Sequence, residues 1–146
     1  MAINTKTLTN ANSILRLKCA GIYDDWVVIR GFQADNRTTA SNRTMAETRD
    51  GVDGYLSGGY VYESQDFELY LEANSPSIDV IRNIIRYFDS NMETTVIEFE
   101  QVQTALKRQA SFSGFMTSGT GLSGGAKLFA GEQYSFRVTP VVEDNI

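Results

Sequence analysis

The residues with the clearest potential for chemistry are Glu98 and Glu100, which alternate with Ile97 and Phe99. In a β-strand the two carboxylates project from the same face about 7 Å apart. This separation is compatible with a general acid working beside a general base. Because no neighbouring pattern indicates a substrate pocket, we interpret the pair as a solvated strand face rather than as a catalytic site.

Other catalytic and metal-binding residue types are scarce. The sequence contains no histidine and one cysteine, Cys19, which excludes Ser-His-Asp and Cys-His catalysis and thiolate zinc sites. Cys19 alternates with Leu15 and Leu17, so we predict a small core residue. Asp50 and Asp53 stand beside glycines but lack the spacing and terminal glutamate of a calcium loop. We therefore predict no catalytic residue, no metal and no cofactor, and a protein that is not an enzyme.

A glycine-rich segment at residues 119–124 reads GTGLSG, which matches the dinucleotide-binding pattern G-x-G-x-x-G. That motif needs a strand before it and a helix after it. Here a second strand-like pattern follows quickly, and Gly131 would interrupt a helix. We predict a flexible hairpin loop.

The elements that would position these residues are mostly strands. Residues 66–73 place Phe67, Leu69 and Leu71 on one face and acidic or polar residues on the other, as in a half-buried strand. Similar segments are residues 14–19, 26–32, 55–63, 94–102, 110–116 and 133–142.

One helix is predicted, over about residues 76–92, with Ser75 as its N-cap and Pro76 as its first residue. Its apolar stripe comprises Ile78, Ile81, Ile85, Phe88 and Met92. Short strands, Gly-rich turns and a single helix favour a mainly β fold, namely an antiparallel β-barrel or sandwich of about seven strands with one flanking α-helix.

The chain of 146 residues fits one domain, residues 1–146. We expect a loosely ordered N-terminal arm at residues 1–12 and a long polar loop at residues 33–50. No apolar run approaches the roughly 20 residues that cross a bilayer, and the N-terminus lacks the layout of a secretory signal, so synthesis in a cytosol is expected. The net charge of −5 disfavours a protein that grips nucleic acid.

Several segments, and the order in which they occur along the chain, resemble tail tube proteins of contractile-tailed bacteriophages. They cover roughly residues 7–92 and are TLTNANS at residues 7–13, GFQAD at 31–35, GVDGYLSGGYV at 51–61 and ANSPSID at 73–79. The C-terminal third is similar only in its strand and Gly-loop character.

The resemblance implies a structural protein of the virion tail, made in the bacterial host cytoplasm. Six barrel-like subunits would form a ring, and rings would stack into a tube whose lumen passes DNA during genome ejection without specific binding. The implied partners are the chain itself and the tail sheath, tape measure and baseplate proteins, with no membrane. A long loop that reaches the neighbouring ring is also implied.

Two groups of residues follow as site hypotheses. Complementary charges set register between identical subunits, so the polar loop is predicted to be the contact between subunits or rings. Its candidate residues are Gln33, Asp35, Asn36, Arg37, Arg43, Glu47, Arg49 and Asp50. Acidic residues on the strand face opposite an apolar row are candidates for the lumen lining, since repeated carboxylates repel phosphate. These residues are Glu68, Glu72, Glu98 and Glu100.

Two alternatives stay open. The fold of such tubes is related to that of type VI secretion tubes, so a tube protein of a type VI or tailocin-like contractile system is the near alternative. A monomeric β-barrel that binds a small ligand would show similar strand alternation and is the alternative from a different class.

Overall fold

The computed structural model describes residues 2–145. Within them, strands form at β1 (Ile14–Cys19), β2 (Tyr23–Ile29), β3 (Thr38–Ala40), β4 (Ala46–Asp50), β5 (Leu56–Tyr60), β6 (Gln65–Leu71), β7 (Ile97–Gln103), β8 (Arg108–Gly119), β9 (Glu132–Val138) and β10 (Val142–Asn145). One α-helix, α1, spans Ile78–Asn91, and a single 3-10 turn spans Thr104–Leu106.

Most strands belong to one antiparallel sheet with the order β2-β1-β7-β8-β9-β6-β3, and β10 pairs with β8. β8 is long enough to pair with β9 along its second half and with β10 along its first. Pro140, which has no N–H to donate, lies between β9 and β10. β4 and β5 form a separate two-stranded sheet.

The large sheet is strongly curled. Phe67 of β6 and Phe99 of β7 lie three strands apart in the sheet order, which would separate them by about 14 Å in a flat sheet. Their ring centroids are 5.3 Å apart, and Phe67 lies 4.8 Å from Phe112. The aromatic core therefore fills the concave face of the sheet. The two edge strands of this sheet, β2 and β3, are open.

The predicted fold class, mainly β with one helix, is confirmed. The sheet is sandwich-like and does not close into a barrel. The described residues hold ten strands rather than about seven, because the sequence pattern missed β3, β4 and β10. Residues 33–50 are thus not one continuous loop.

Helix α1 packs into the core through Ile78, Ile81 and Ile84. Ile84 is absent from the predicted stripe, whose members Ile85 and Phe88 are only partly buried. The stripe was predicted to end at Met92, but that side chain is exposed and its backbone is left-handed. This conformation ends the helix, since it turns the chain away from the helical path.

The predicted helix start is wrong by two residues. The N-cap is Ser77, and Pro76 lies outside the helix. Both serine hydroxyls bind the Arg30 backbone: Ser77 Oγ accepts a hydrogen bond from the Arg30 N–H at 2.8 Å, and Ser75 Oγ donates to the Arg30 carbonyl. Ser75 Oγ also accepts a hydrogen bond from the Ser77 N–H at 3.2 Å. The helix start is thereby held to the segment that follows β2.

Two further sequence predictions are confirmed. Cys19 is fully buried, and burial raises the pKa of its thiol, as expected of a core residue. The glycine-rich segment begins at Gly119, the last residue of β8, and continues into the loop that joins the antiparallel strands β8 and β9, with no helix after it. The flexibility of this loop stays a prediction.

Candidate functional site

The most exposed element is the hairpin of β4 and β5, residues 46–60, which we call the arm. Every residue of both strands is exposed. Side chains directly opposite each other in a hairpin share a face, so the register places Leu56 and Tyr60 on one face and Glu47 and Arg49 on the other. Large apolar side chains on and beside the arm are exposed: Met45, Val52, Tyr55, Leu56, Tyr60 and Tyr62. A cluster of this kind marks an interaction surface.

The arm is anchored to the body at its base. Glu63 accepts a hydrogen bond from the Thr44 backbone N–H at 3.1 Å, and the same carboxylate lies 3.8 Å from the Arg137 guanidinium. Arg137 also binds Asp66 at 2.9 Å. The arm therefore leaves the sheet beside the first residues of β6.

The structure divides the eight predicted contact residues into three sets. Glu47, Arg49 and Asp50 on the arm, and Asp35 and Asn36 before β3, are exposed. Arg43 is half-buried between β3 and β4. Gln33 and Arg37 instead hold the fold together. The side-chain amide of Gln33 donates to the Leu71 carbonyl at 3.2 Å.

Arg37 ties the N-terminal segment to the body of the protein. Its guanidinium donates to the carbonyls of Asn10 and Ser13 and lies over the Phe32 ring, 4.4 Å from the centroid. Partial burial lowers the pKa of Arg37 from its ordinary value. Residues 2–12 form no helix or strand and are exposed.

Three of the four predicted lumen acids, Glu68, Glu98 and Glu100, lie on the face of the large sheet opposite the core, which we call the outer face. Glu72 lies beyond the end of β6 and is exposed. The outer face also carries bases, because β1 pairs with β7 in a register that sets Arg16 against Glu100 and Lys18 against Glu98.

The charges of the outer face are largely balanced. Arg16 forms an ion pair with Glu100, and both Arg16 and Lys18 lie over the Trp26 ring. Glu68 accepts hydrogen bonds from Tyr70 at 2.5 Å and Thr39 at 3.1 Å. The bond to Glu68 raises the pKa of the Tyr70 hydroxyl. The outer face thus presents a weaker negative field than its three carboxylates would produce without the neighbouring bases.

A buried carboxylate that the sequence analysis missed is Glu132, which is fully inaccessible to solvent. It accepts hydrogen bonds from Arg82 at 3.0 Å, from the Tyr134 hydroxyl at 2.9 Å and from Ser123 at 3.1 Å. Burial, together with the bond to Glu132, raises the pKa of Tyr134 well above its ordinary value. Glu132 therefore joins α1, β9 and the 120–131 loop, which is a structural role.

The signal for Glu132 was present in the sequence. Tyr134, Phe136 and Val138 alternate along β9, and extending the same period by one step places Glu132 on the core face.

Glu132→Gln is expected to destabilise the unassembled subunit by about 2 to 3 kcal/mol, because the charge-assisted bond from Arg82 is lost and a buried amide faces other donors. Arg82 is 35% exposed, so water hydrates its remaining charge and keeps the loss below that of a fully buried pair. Denaturant unfolding measures the change. The control is Glu68→Gln on the outer face, for which we expect less than about 1 kcal/mol; equal losses would contradict the assignment.

Within residues 2–145, no cluster of His, Cys, Asp or Glu side chains is arranged to hold a metal ion. The same residues include no helix with the length and apolar character that crossing a bilayer requires.

Comparison with known proteins gives a fold-level match. No family model and no curated protein matches the sequence. A chain of the sheath–tube complex of the extracellular contractile injection system PVC, in its extended state, superposes with a TM-score of 0.60 at 14% identity, covering 92% of this chain and 88% of that chain. The tube-terminating cap of the anti-feeding prophage superposes at 0.59 and 15% identity, covering 100% and 95%.

The chain therefore has the fold of components of contractile injection systems. The resemblance to contractile tail tube proteins, drawn from the sequence, is confirmed at the level of the fold.

Proposed function

We propose that the chain is a non-enzymatic structural subunit of a contractile-tail tube, which self-assembles into stacked hexameric rings. The observation that carries the proposal is the arm, which pairs only within itself and exposes a cluster of large apolar side chains. The open sheet edges at β2 and β3 supply a second means of association, since unpaired strand edges add strands of other chains. The shared fold supports the same conclusion.

In a bacteriophage the assembled tube would belong to the virion tail and would pass DNA during genome ejection. Its other partners would be the sheath, tape measure and baseplate proteins. The second candidate is the tube of a tailocin-like or type VI system, and it is supported by the fold shared with a chain of an extracellular contractile injection system and with the tube-terminating cap of the anti-feeding prophage.

Negative-stain microscopy of the purified protein tests the proposal. We expect rings or tubes at high protein concentration. A strict monomer near 16.2 kDa, with no particles even on added tube fragments, would overturn it and would favour the monomeric ligand-binding alternative.

The proposed lumen role of the outer face has its own test. Glu98 is exposed and lies opposite Lys18, so Glu98→Lys reverses charge there without breaking the Arg16–Glu100 pair. If the outer face lines a DNA channel, tubes should form normally while DNA delivery falls strongly, because the added lysines bind phosphate. The matched control is Glu93→Lys, which makes the same change at an exposed position after α1. Normal delivery by Glu98→Lys tubes would exclude the lumen role.

A further inference from the structure

A cavity of about 510 Å³ opens at the end of the curled sheet that α1 does not cover. Core residues Phe67 and Phe112 contribute to its wall, while Arg43, Gln103 and Glu143 make the remainder polar. A volume of this size is within the roughly 300 to 1,000 Å³ of ordinary binding pockets. The cavity thus offers an apolar wall beside one cationic side chain, Arg43, and one anionic side chain, Glu143.

Arg43 is the unusual member of this lining. Its Nη1 atom is buried and has no hydrogen-bond partner among residues 2–145. Buried guanidinium N–H groups are almost always paired, because water can no longer satisfy them. A carboxylate in the cavity would supply the missing acceptor once the guanidinium turns an N–H toward it, and guanidinium–carboxylate bonds are among the stronger polar contacts.

The tip of the arm has the complementary chemistry. Val52 is 112% exposed, more than in an extended reference chain. The turn that presents it is well defined: the Gly54 N–H donates to the Gly51 carbonyl at 3.0 Å, and Asp53 Oδ1 accepts from the Tyr55 N–H at 3.4 Å. An exposed apolar side chain and a carboxylate are therefore neighbours at the tip of the arm.

We propose that the cavity is the receptor for the arm tip of a second copy of this chain, with Val52 placed against Phe67 and Phe112 and the Asp53 carboxylate bound to Arg43. This proposal rests on the proposed self-assembly and names the two surfaces that meet. Charge complementarity and the match of apolar tip to apolar wall select this occupant, because binding anchors are typically single side chains that fill a pocket.

Reciprocal charge reversal tests the contact in trans. Arg43→Glu alone and Asp53→Arg alone should each raise the critical concentration for assembly at least roughly tenfold, since like charges would face each other. A mixture of the two variants should assemble again, because each cavity then meets a tip of opposite charge. Circular dichroism of each variant confirms that the subunits are folded.

The outcomes separate this proposal from the proposed function. The docking contact would be overturned if either single variant assembled normally, or if the mixture of the two variants stayed unassembled. The proposed tube function would survive both results, provided that the wild-type protein forms tubes. If assembly were restored only when both changes are made in the same chain, the Arg43–Asp53 contact would lie within one subunit. That result would also overturn the proposed contact between subunits. Absence of tubes in the wild type would instead remove the proposed function itself.

Asp53→Asn separates charge from turn geometry, because the amide oxygen can still accept the Tyr55 bond. It should weaken assembly in the same direction as Asp53→Arg and by a smaller factor.

A crosslink tests the geometry directly. In assembled protein, Val52→Cys combined with Gln103→Cys should give disulfide-linked ladders under oxidation. The native Cys19 is buried and does not interfere. Val52→Cys with Glu93→Cys serves as the control and should give none. Ladders in the control but not in the test pair would contradict the assigned receptor.

Discussion

Replacing residues 46–60 by a short Gly-Ser linker is expected to leave the large sheet folded and to abolish tube formation. The arm forms its own two-stranded sheet, and the buried apolar core has no member between Ile29 and Phe67. The free energy of unfolding should therefore change by no more than about 1 kcal/mol. Pelleting and negative-stain microscopy measure assembly, and denaturant unfolding measures the fold.

A milder change separates the surface of the arm from its backbone. Leu56→Ser with Tyr60→Ser removes two exposed apolar side chains of one arm face while the hairpin remains. We expect an intermediate rise in the critical concentration. Tubes that form normally after removal of the whole arm would show that assembly depends on the sheet edges alone.

Gly114→Ala is expected to prevent stable folding, with a loss above about 3 kcal/mol and little soluble protein. Gly114 is buried in β8 and pairs with Ile97 on β7 and with Val138 on β9. A Cβ atom there would lie 2.0 Å from the Arg137 carbonyl oxygen and 2.7 Å from the Val138 Cα. Both atoms belong to the β9 backbone, so the clash is relieved only if the two strands separate.

Thermal unfolding and the yield of soluble protein report this effect. Gly59→Ala is the matched control, since Gly59 lies in β5 and a Cβ there would meet no atom within 4 Å. Its stability should stay within about 1 kcal/mol of the wild type. Equal unfolding temperatures for the two variants would mean that β8 and β9 are not packed as closely as described.

Period-two alternation made the buried strands predictable from sequence. β6 and β7 each alternate apolar and polar residues because one face meets the core. β4 has no buried face, and its polar run therefore carries no such signal. Its pairing with β5 is fixed by the turn between them, whereas the pattern of side chains records only burial.

The acidic outer face was predictable only in part, because side-chain patterns record burial and not which strands are neighbours. Residue type identified the acids on strand faces, and alternation gave their side of the sheet. Strand register decided which of them are neutralised, and Arg16 meets Glu100 only because β1 lies beside β7. The cavity beside Arg43 arises from the curl of the sheet, which no local pattern encodes.

The pairing of β1 with β7 delays the completion of the β2 edge during synthesis. Arg16 and Glu100 are 84 residues apart, so at about 5 to 20 residues per second a ribosome needs roughly 4 to 17 s to supply the partner of β1. Long-range pairing of this kind is also slow to form. In the large sheet β2 pairs only with β1, so this open edge takes its final place only when β7 arrives. Nascent chains therefore lack a finished β2 edge, so in the proposed tube only released, completed subunits would be able to add.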